Sequence, residues 1–100
     1  AMIYNLGPVA IGEKVTVSQR AHLCAGTHDG SDPAMPLQKP PIAVGDQAWI
    51  CADAFVGPGV TVEEGAIVGA RAVAVDNVEA WSVVAGNPAS HVKDRTLQTG

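Results

Sequence analysis

The chain has 100 residues and a mass of 10.2 kDa, so it holds one domain at most. Hydrophobic residues make up 47% of it and charged residues 16%, which is a composition that can bury a core and argues against disorder. The net charge is -4 without any basic stripe, and this argues against nucleic acid or an anionic membrane surface as a main partner.

Hydropathy and cysteine content narrow the class of protein further. No apolar run approaches the ~20 residues that a membrane helix needs, and no secretory signal pattern opens the chain. Cys24 and Cys51 are the only cysteines, which is too few for a disulfide framework. We therefore expect a reduced, cytoplasmic protein.

A six-residue repeat of aliphatic side chains dominates the sequence. Its positions are Ile11, Val17, Leu23, Val44, Ile50, Val56, Val62, Val68 and Ala74. A glycine follows the repeat residue directly at Gly12, Gly45, Gly57 and Gly69. A period of six fits neither an α-helix nor a half-buried strand, and it is the period of the hexapeptide β-helix.

Three such hexads would form one coil of a triangular prism, with each repeat residue pointing inward and stacking on its equivalent one coil later, about 4.8 Å away. The predicted stacked pairs are Val44–Val62, Ile50–Val68 and Val56–Ala74. We also expect the glycine after each repeat residue to turn the corner with a positive φ, which costs glycine nothing. Cys24 and Cys51 should lie on different faces.

The register breaks between Leu23 and Val44, which are 21 residues apart, three more than one coil. The interval contains four prolines, and proline cannot donate to a strand ladder. We therefore expect a loop over residues 28–41 to protrude between the first coils (3–27) and the regular coils (42–85). Loops on a rigid scaffold commonly carry function.

The two ends of the repeat region differ. Asn87 followed by Pro88 is typical of a helix start and predicts a short cap helix over about Pro88–Leu97, within a turn-and-cap segment at 86–100. Residues 9–12 already have the pattern of a coil, so we expect an exposed edge at the N-terminal end. The whole chain is thus predicted to be a single all-β domain with a short C-terminal helix.

The repeats carry a family resemblance. Together with Thr27-His28-Asp29 in the loop and Gly86-Asn87-Pro88-Ala89 after it, they resemble the hexapeptide-repeat acetyltransferases. The segment Ser18-Gln19-Arg20-Ala21-His22-Leu23-Cys24 is similar to the sugar O-acetyltransferases of the colanic-acid type. The resemblance covers about residues 3–95 and looks like a C-terminal portion. It implies a left-handed parallel β-helix that forms a homotrimer and binds acetyl-CoA in grooves between prisms.

The resemblance also implies that His28 is the catalytic residue. An imidazole can take the proton of a sugar hydroxyl near neutral pH, although a loop histidine can equally bond Asp29 or a carbonyl and shape the turn. Asp29 and Asp32 would orient His28 or contact the saccharide acceptor, while Asp-Gly and Asp-Pro are also ordinary turn sequences.

Further residues are implied for the groove. Trp49 is expected to contact the acceptor from the outside of the prism, unless it only packs there. The residues expected to bind acetyl-CoA are Gly69, Ala70, Arg71, Lys93 and Arg95. Arg71 could instead be a solvated outer residue, and Lys93 and Arg95 could instead stabilise the C-terminus of the predicted helix.

No metal is expected. His22 and His28 are six residues apart, whereas the γ-type carbonic anhydrases, which use the same prism, place two nearby zinc ligands five apart, and His91 lies in the predicted helix. The sequence thus predicts an acetyl-CoA-dependent O-acetyltransferase acting on a sugar hydroxyl. The alternative is a non-catalytic trimeric assembly module derived from the same family, because Arg71 replaces a small residue and the family's lysine near Asp76 is absent.

Overall fold

The computed structural model describes residues 2–4, 7–28 and 30–97, with the backbone alone for Tyr4 and His28. These residues form fourteen short strands and no helix. In chain order the strands are β1 (Met2–Tyr4), β2 (Val9–Ile11), β3 (Thr16–Val17), β4 (His22–Cys24), β5 (Thr27–His28), β6 (Leu37–Gln38), β7 (Ile42–Val44), β8 (Trp49–Ile50), β9 (Phe55–Val56), β10 (Thr61–Val62), β11 (Ile67–Val68), β12 (Val73–Ala74), β13 (Ser82–Gly86) and β14 (Ala89–Asp94).

Apart from β5 and β6, the strands form three sheets, which are the three faces of a prism and are parallel except for β14. The first face has the order β1-β4-β9-β12, the second β2-β7-β10, and the third β3-β8-β11-β13 with β14 added at its edge. The chain visits the three faces in turn and then starts the next coil. This is the parallel β-helix that the six-residue period predicts, and it is left-handed.

The predicted stacking is confirmed by the strand register. The residues that lie opposite one another on neighbouring coils are Val44 and Val62, Ile50 and Val68, and Val56 and Ala74. The side chains at these positions are at most 3% exposed, and they form the core together with the small residues four positions later. Burial of these aliphatic columns stabilises the prism by roughly 25 cal/mol per Å² of apolar surface.

Cys24 and Cys51 lie on the first and third faces, as expected.

The prediction that glycines after the repeat residue take positive φ is wrong. The positive φ values fall two residues later, at Lys14, Arg20, Gln47, Asp53, Gly59, Gly65 and Arg71. Gly12, Gly45 and Gly69 serve close packing instead, whereas an added Cβ at Gly57 would make only ordinary contacts of 3.4 Å or more. A Cβ added to Gly45 would lie 2.6 Å from the backbone nitrogen of Glu64 on the next coil, so the corner admits no side chain there.

The protruding loop is confirmed, but the path of the chain differs from the expected one. The spacing of 21 residues suggested one full coil with three extra residues between Leu23 and Val44. Ile11 pairs with Val44 and Leu23 with Val56, so the chain from Leu23 to Val44 crosses only one corner of the prism. The surplus chain leaves as an arm, in which β5 pairs with β6 antiparallel. The arm starts at the corner between the first and second faces and returns there to begin β7.

The predicted cap helix over Pro88–Leu97 is wrong. The segment forms β14, which pairs antiparallel with β13, with Ser82 opposite Asp94 and Gly86 opposite Ala89. Asn87 and Pro88 form the hairpin turn, with Gly86 at a φ of 97°. The open edge of β13 offers unpaired backbone groups, and pairing with that edge outweighs the local helix-start signal.

The expected exposed edge at the N-terminal end is confirmed. Ile3 and Ile11 occupy inward repeat positions of the first coil, yet they are 45% and 42% exposed.

Over the described residues there is no helix of a length and hydropathy that would cross a membrane.

Candidate functional site

The arm carries His28, which the resemblance implies is the catalytic residue. The backbone of His28 lies on β5 opposite Leu37, just after the chain leaves the first face. The arm is fastened at its root, where the amide of Gly7 donates to the carbonyl of Ala25 at 2.7 Å. The side chain of His28 and all of Asp29 lie outside the described residues, so their predicted roles stay predictions.

Asp32 lies in the turn at the tip of the arm. Its Oδ1 accepts a hydrogen bond from the amide of Ala34 at 2.9 Å, and its carbonyl accepts one from the amide of Met35 at 2.8 Å. The carboxylate thus has the turn-forming role that the Asp-Pro sequence suggested. Its predicted contact with an acceptor stays a prediction.

Trp49 lies on the outer side of the third face. Its partner on the same strand, Ile50, points inward, so the indole stands outside the prism and is 41% exposed. The indole Nε1 donates to the hydroxyl of Ser18 one coil below at 2.9 Å. This bond fixes the ring against the face and leaves much of its surface open to a ligand.

A cleft of about 460 Å³ lies beside Trp49, where the third face meets the second. Its lining residues are Lys14, Thr16, Gln47, Ala48, Trp49, Arg95 and Leu97. It brings together two residues that the sequence singled out, Trp49 and Arg95. Sequence reasoning missed Lys14 and Gln47, which meet at this corner because the first coil pairs with the coil beyond the arm. The cleft offers two cations and one aromatic ring.

Arg95 is held by the prism itself. Its Nη1 donates to the carbonyls of Gln47 at 2.7 Å and Gly65 at 3.0 Å, and its guanidinium carbon lies 5.7 Å from the centre of the Trp81 ring. Such a cation–π contact and two carbonyl bonds fix the group at the corner. Arg95 therefore forms a rigid wall of the cleft.

Lys93 lies near Arg95 but on a different cleft. It stands on β14 opposite Val83 and lines a neighbouring opening of about 540 Å³ together with Arg95 and Ile67. Both openings lie on the third face. The structure thus brings Trp49, Lys93 and Arg95 to one side of the prism.

The remaining residues predicted to bind acetyl-CoA lie further round the prism. Gly69 follows β11 on the third face, where an added Cβ would stand 3.0 Å from the carbonyl oxygen of Val84 and 3.4 Å from the Cβ of Ala85, so the missing side chain allows close packing against β13. Ala70 and Arg71 follow at the corner between the third and first faces, where Arg71 is exposed with a φ of 61°. Neither of these two residues lines the cleft beside Trp49.

Cys51 follows Ile50 on the third face. Burial raises the pKa of the Cys51 thiol, because the low-dielectric surroundings disfavour the thiolate. The thiol is therefore protonated at neutral pH and is a poor nucleophile. Cys24 lies on the first face, and its Sγ donates to the carbonyl of Gly26 at 3.5 Å.

The described histidines do not converge. The His22 ring packs edge-on against Phe55 with centroids 5.3 Å apart, while His91 lies on β14, not in a helix, with its Nε2 2.9 Å from Oδ1 of Asp94. Within the described residues, no three His, Cys, Asp or Glu side chains form a group that could hold a metal ion.

Comparison with known proteins shows a similarity to acetyltransferases. The chain is 38% identical over 93 residues to the colanic acid biosynthesis acetyltransferase WcaF of Escherichia coli K12, a match that covers 93% of this chain and 51% of that protein. The chain is thus similar over nearly its whole length to an acetyltransferase, as the resemblance to the hexapeptide-repeat acetyltransferases predicts. It spans about half the length of this relative. No protein-family model matches the chain.

Solved structures show the same fold. A hexapeptide-repeat acetyltransferase of Vibrio cholerae, solved with acetyl-CoA, superposes with a TM-score of 0.87 at 23% identity, covering 94% of this chain and 53% of the other. A galactoside acetyltransferase in complex with CoA gives a TM-score of 0.87 at 22% identity, covering 94% and 48%. At these identities the likeness establishes the β-helix and nothing finer.

Proposed function

We propose that the protein is an acetyl-CoA-dependent O-acetyltransferase acting on a sugar hydroxyl and working as a homotrimer. The observation that carries the proposal is the 38% identity to WcaF over nearly the whole chain, because the name of that relative places it in the biosynthesis of colanic acid. The two cysteines, which form no disulfide, fit a reducing compartment such as the cytoplasm, where we expect the enzyme to act.

His28 would act as the general base. Its imidazole takes the proton of the acceptor hydroxyl while the hydroxyl oxygen attacks the thioester carbonyl of acetyl-CoA. The resulting tetrahedral oxyanion can be stabilised by backbone N–H groups beside the groove. Its collapse breaks the carbon–sulfur bond, and the thiolate of CoA takes the proton from the imidazolium. The products are the acetyl ester and CoA, and the enzyme needs no covalent intermediate.

The third face would bind acetyl-CoA. Trp49 supplies an apolar wall for the thin pantetheine arm. Lys14, Lys93 and Arg95 give the two clefts of this face a positive charge that suits the phosphates of CoA. Arg71 would reach CoA only from the neighbouring corner.

The position of His28 supports assembly. The arm with His28 leaves the corner between the first and second faces, whereas the cleft with Trp49 and Arg95 lies between the second and third faces. These two corners lie on opposite sides of the second face of one prism. A site that uses both parts would therefore form between two copies of the chain.

The test measures CoA release by chromatography from acetyl-CoA and a panel of mono- and oligosaccharides. Substituting His28→Ala is expected to lower turnover ~10²–10⁴-fold with an unchanged melting temperature. His91→Ala is the matched control, because it removes an exposed imidazole on β14 and should leave turnover unchanged. Full activity of His28→Ala would contradict the role of His28, and absence of turnover with every sugar would favour the assembly module.

A further inference from the structure

We propose that a cavity at the C-terminal end of the prism binds a small primary amine, with its alkyl chain on the floor and its ammonium group beside Asp76 and Glu79. The cavity has a volume of about 220 Å³ and lies between the last coil and the hairpin of β13 and β14. It shares no lining residue with the two clefts of the third face. The inference therefore goes beyond the proposed function and does not rest on it.

The floor of the cavity is apolar because two aliphatic columns of the core end there. Val78 and Val84 are the last aliphatic residues of the inward columns that run through Val62 and Val68. Both side chains line the cavity, and Ala89 at the start of β14 lines it beside them and packs against the core. A short alkyl chain would contact this floor and remove apolar surface from water, which is favourable.

The rim of the cavity is negatively charged. Asp76 and Glu79 line it, and neither carboxylate forms an ion pair with another described residue. No described lysine or arginine lines the cavity. His91 on the β14 wall already has a partner, since its Nε2 lies 2.9 Å from Oδ1 of Asp94. Two carboxylates without a countercharge in a small opening favour a cation as the ligand.

Ser82 is a second, independent indication of a ligand. It is 6% exposed and lines the cavity. One coil below, the same inward position holds Ala66, because Ile67 lies opposite Val83. The Ser82 hydroxyl forms no hydrogen bond with another described residue, and it is not among the fully enclosed polar atoms that lack a partner. A hydroxyl that replaces a core methyl group therefore opens into the cavity with its hydrogen-bonding capacity unused.

An alkylammonium ion suits this lining better than a metal ion does. Its ammonium group has three N–H donors, and the carboxylates of Asp76 and Glu79 and the hydroxyl of Ser82 can accept them. Within the described residues, no three His, Cys, Asp or Glu side chains form a group that could hold a metal ion.

The size of the cavity limits the ligand further. A volume of about 220 Å³ holds about seven water molecules at about 30 Å³ each. It therefore has room for an amine of about four or five carbon atoms, and it is too small for a nucleotide. The alkyl chain of such an amine can lie on Val78 and Val84 while its charged end reaches the rim.

The test uses n-butylamine as the probe and n-butanol as its uncharged analogue of similar size. Each compound is titrated into the isotope-labelled chain at neutral pH, and the backbone amide signals are followed by NMR. Butylamine should shift the signals of the cavity residues saturably and bind at least about tenfold more tightly than butanol, because hydrogen bonds to charged groups are the stronger ones. Equal affinity for the two compounds, or no saturable shift in the high-millimolar range, would overturn the inference.

Substitutions locate the ammonium group. Asp76→Asn combined with Glu79→Gln keeps the shape of the rim and should weaken butylamine binding at least about tenfold. Ser82→Ala restores the alanine of the coil below, so the fold should persist while butylamine binding weakens severalfold. Glu63→Gln is the matched control, because it removes an exposed carboxylate that does not line the cavity. Unchanged affinity in either cavity variant, or a comparable loss in Glu63→Gln, would contradict the proposed site.

Discussion

Trp81 lies over Gly65 at the corner between the second and third faces, and its indole fills the space that a Cβ on residue 65 would need. Both residues have positive φ, 59° and 69°. The guanidinium of Arg95 packs over the same ring. It also donates a hydrogen bond to the carbonyl of Gly65. Three residues from three separate stretches of the chain thereby fasten the last coil and the terminal hairpin to the prism.

Gly65→Ala should destabilise the fold because the new methyl group would displace Trp81 as well as strain the left-handed backbone. We expect a loss of about 3 kcal/mol in the free energy of unfolding, combining the strain of the left-handed conformation with overpacking. Gly59→Ala is the matched control. Gly59 has a φ of 75°, but its nearest neighbour is the Cβ of Pro40 at 3.3 Å, so only about 1 kcal/mol should be lost. Equal losses in urea unfolding would contradict the role of Trp81.

Arg95→Ala should loosen the terminal hairpin. The substitution leaves the carbonyls of Gln47 and Gly65 without their donor, and we expect a loss of about 1–3 kcal/mol. Amide hydrogen exchange should quicken in β13 and β14 before the rest of the prism. Lys93→Ala removes a neighbouring exposed cation and should change neither quantity. Unaltered exchange in Arg95→Ala would show that the hairpin does not depend on this contact.

Cys51 should react slowly with iodoacetamide in the folded protein. Burial raises the pKa of its thiol, which lowers the fraction of reactive thiolate at pH 8. Mass spectrometry of a Cys24→Ser variant isolates the reaction at Cys51, and the rate should rise severalfold once the chain is unfolded in urea. The sign follows from the direction of the shift, since a raised pKa keeps the folded thiol neutral at a pH where the unfolded thiol begins to ionise. The same rate in both states would contradict a raised pKa.

The coils were predictable because their information is local and repeated. The column of Val44 and Val62 follows from a six-residue period that places one inward side chain on each face of the prism. The resemblance in turn drew attention to Trp49 and Arg95, and the structure places both on one cleft.

Other features depend on contacts that no local pattern records. The number of residues between Leu23 and Val44 does not reveal how many corners the chain crosses, so the pairing of Ile11 with Val44 required the structure. Asn87 and Pro88 suit a helix start as well as a hairpin turn, and the edge of β13 decides between them. Lys14 was overlooked for the same reason, since it reaches the cleft only through pairing across the arm.

Isothermal titration of CoA into the purified chain tests the central claim most directly. Binding requires the wall at Trp49 and the cations of the third face to form a working groove. We predict saturable binding with one site per chain. Absence of heat up to millimolar CoA would contradict the account, because a protein that cannot bind CoA cannot transfer its acetyl group.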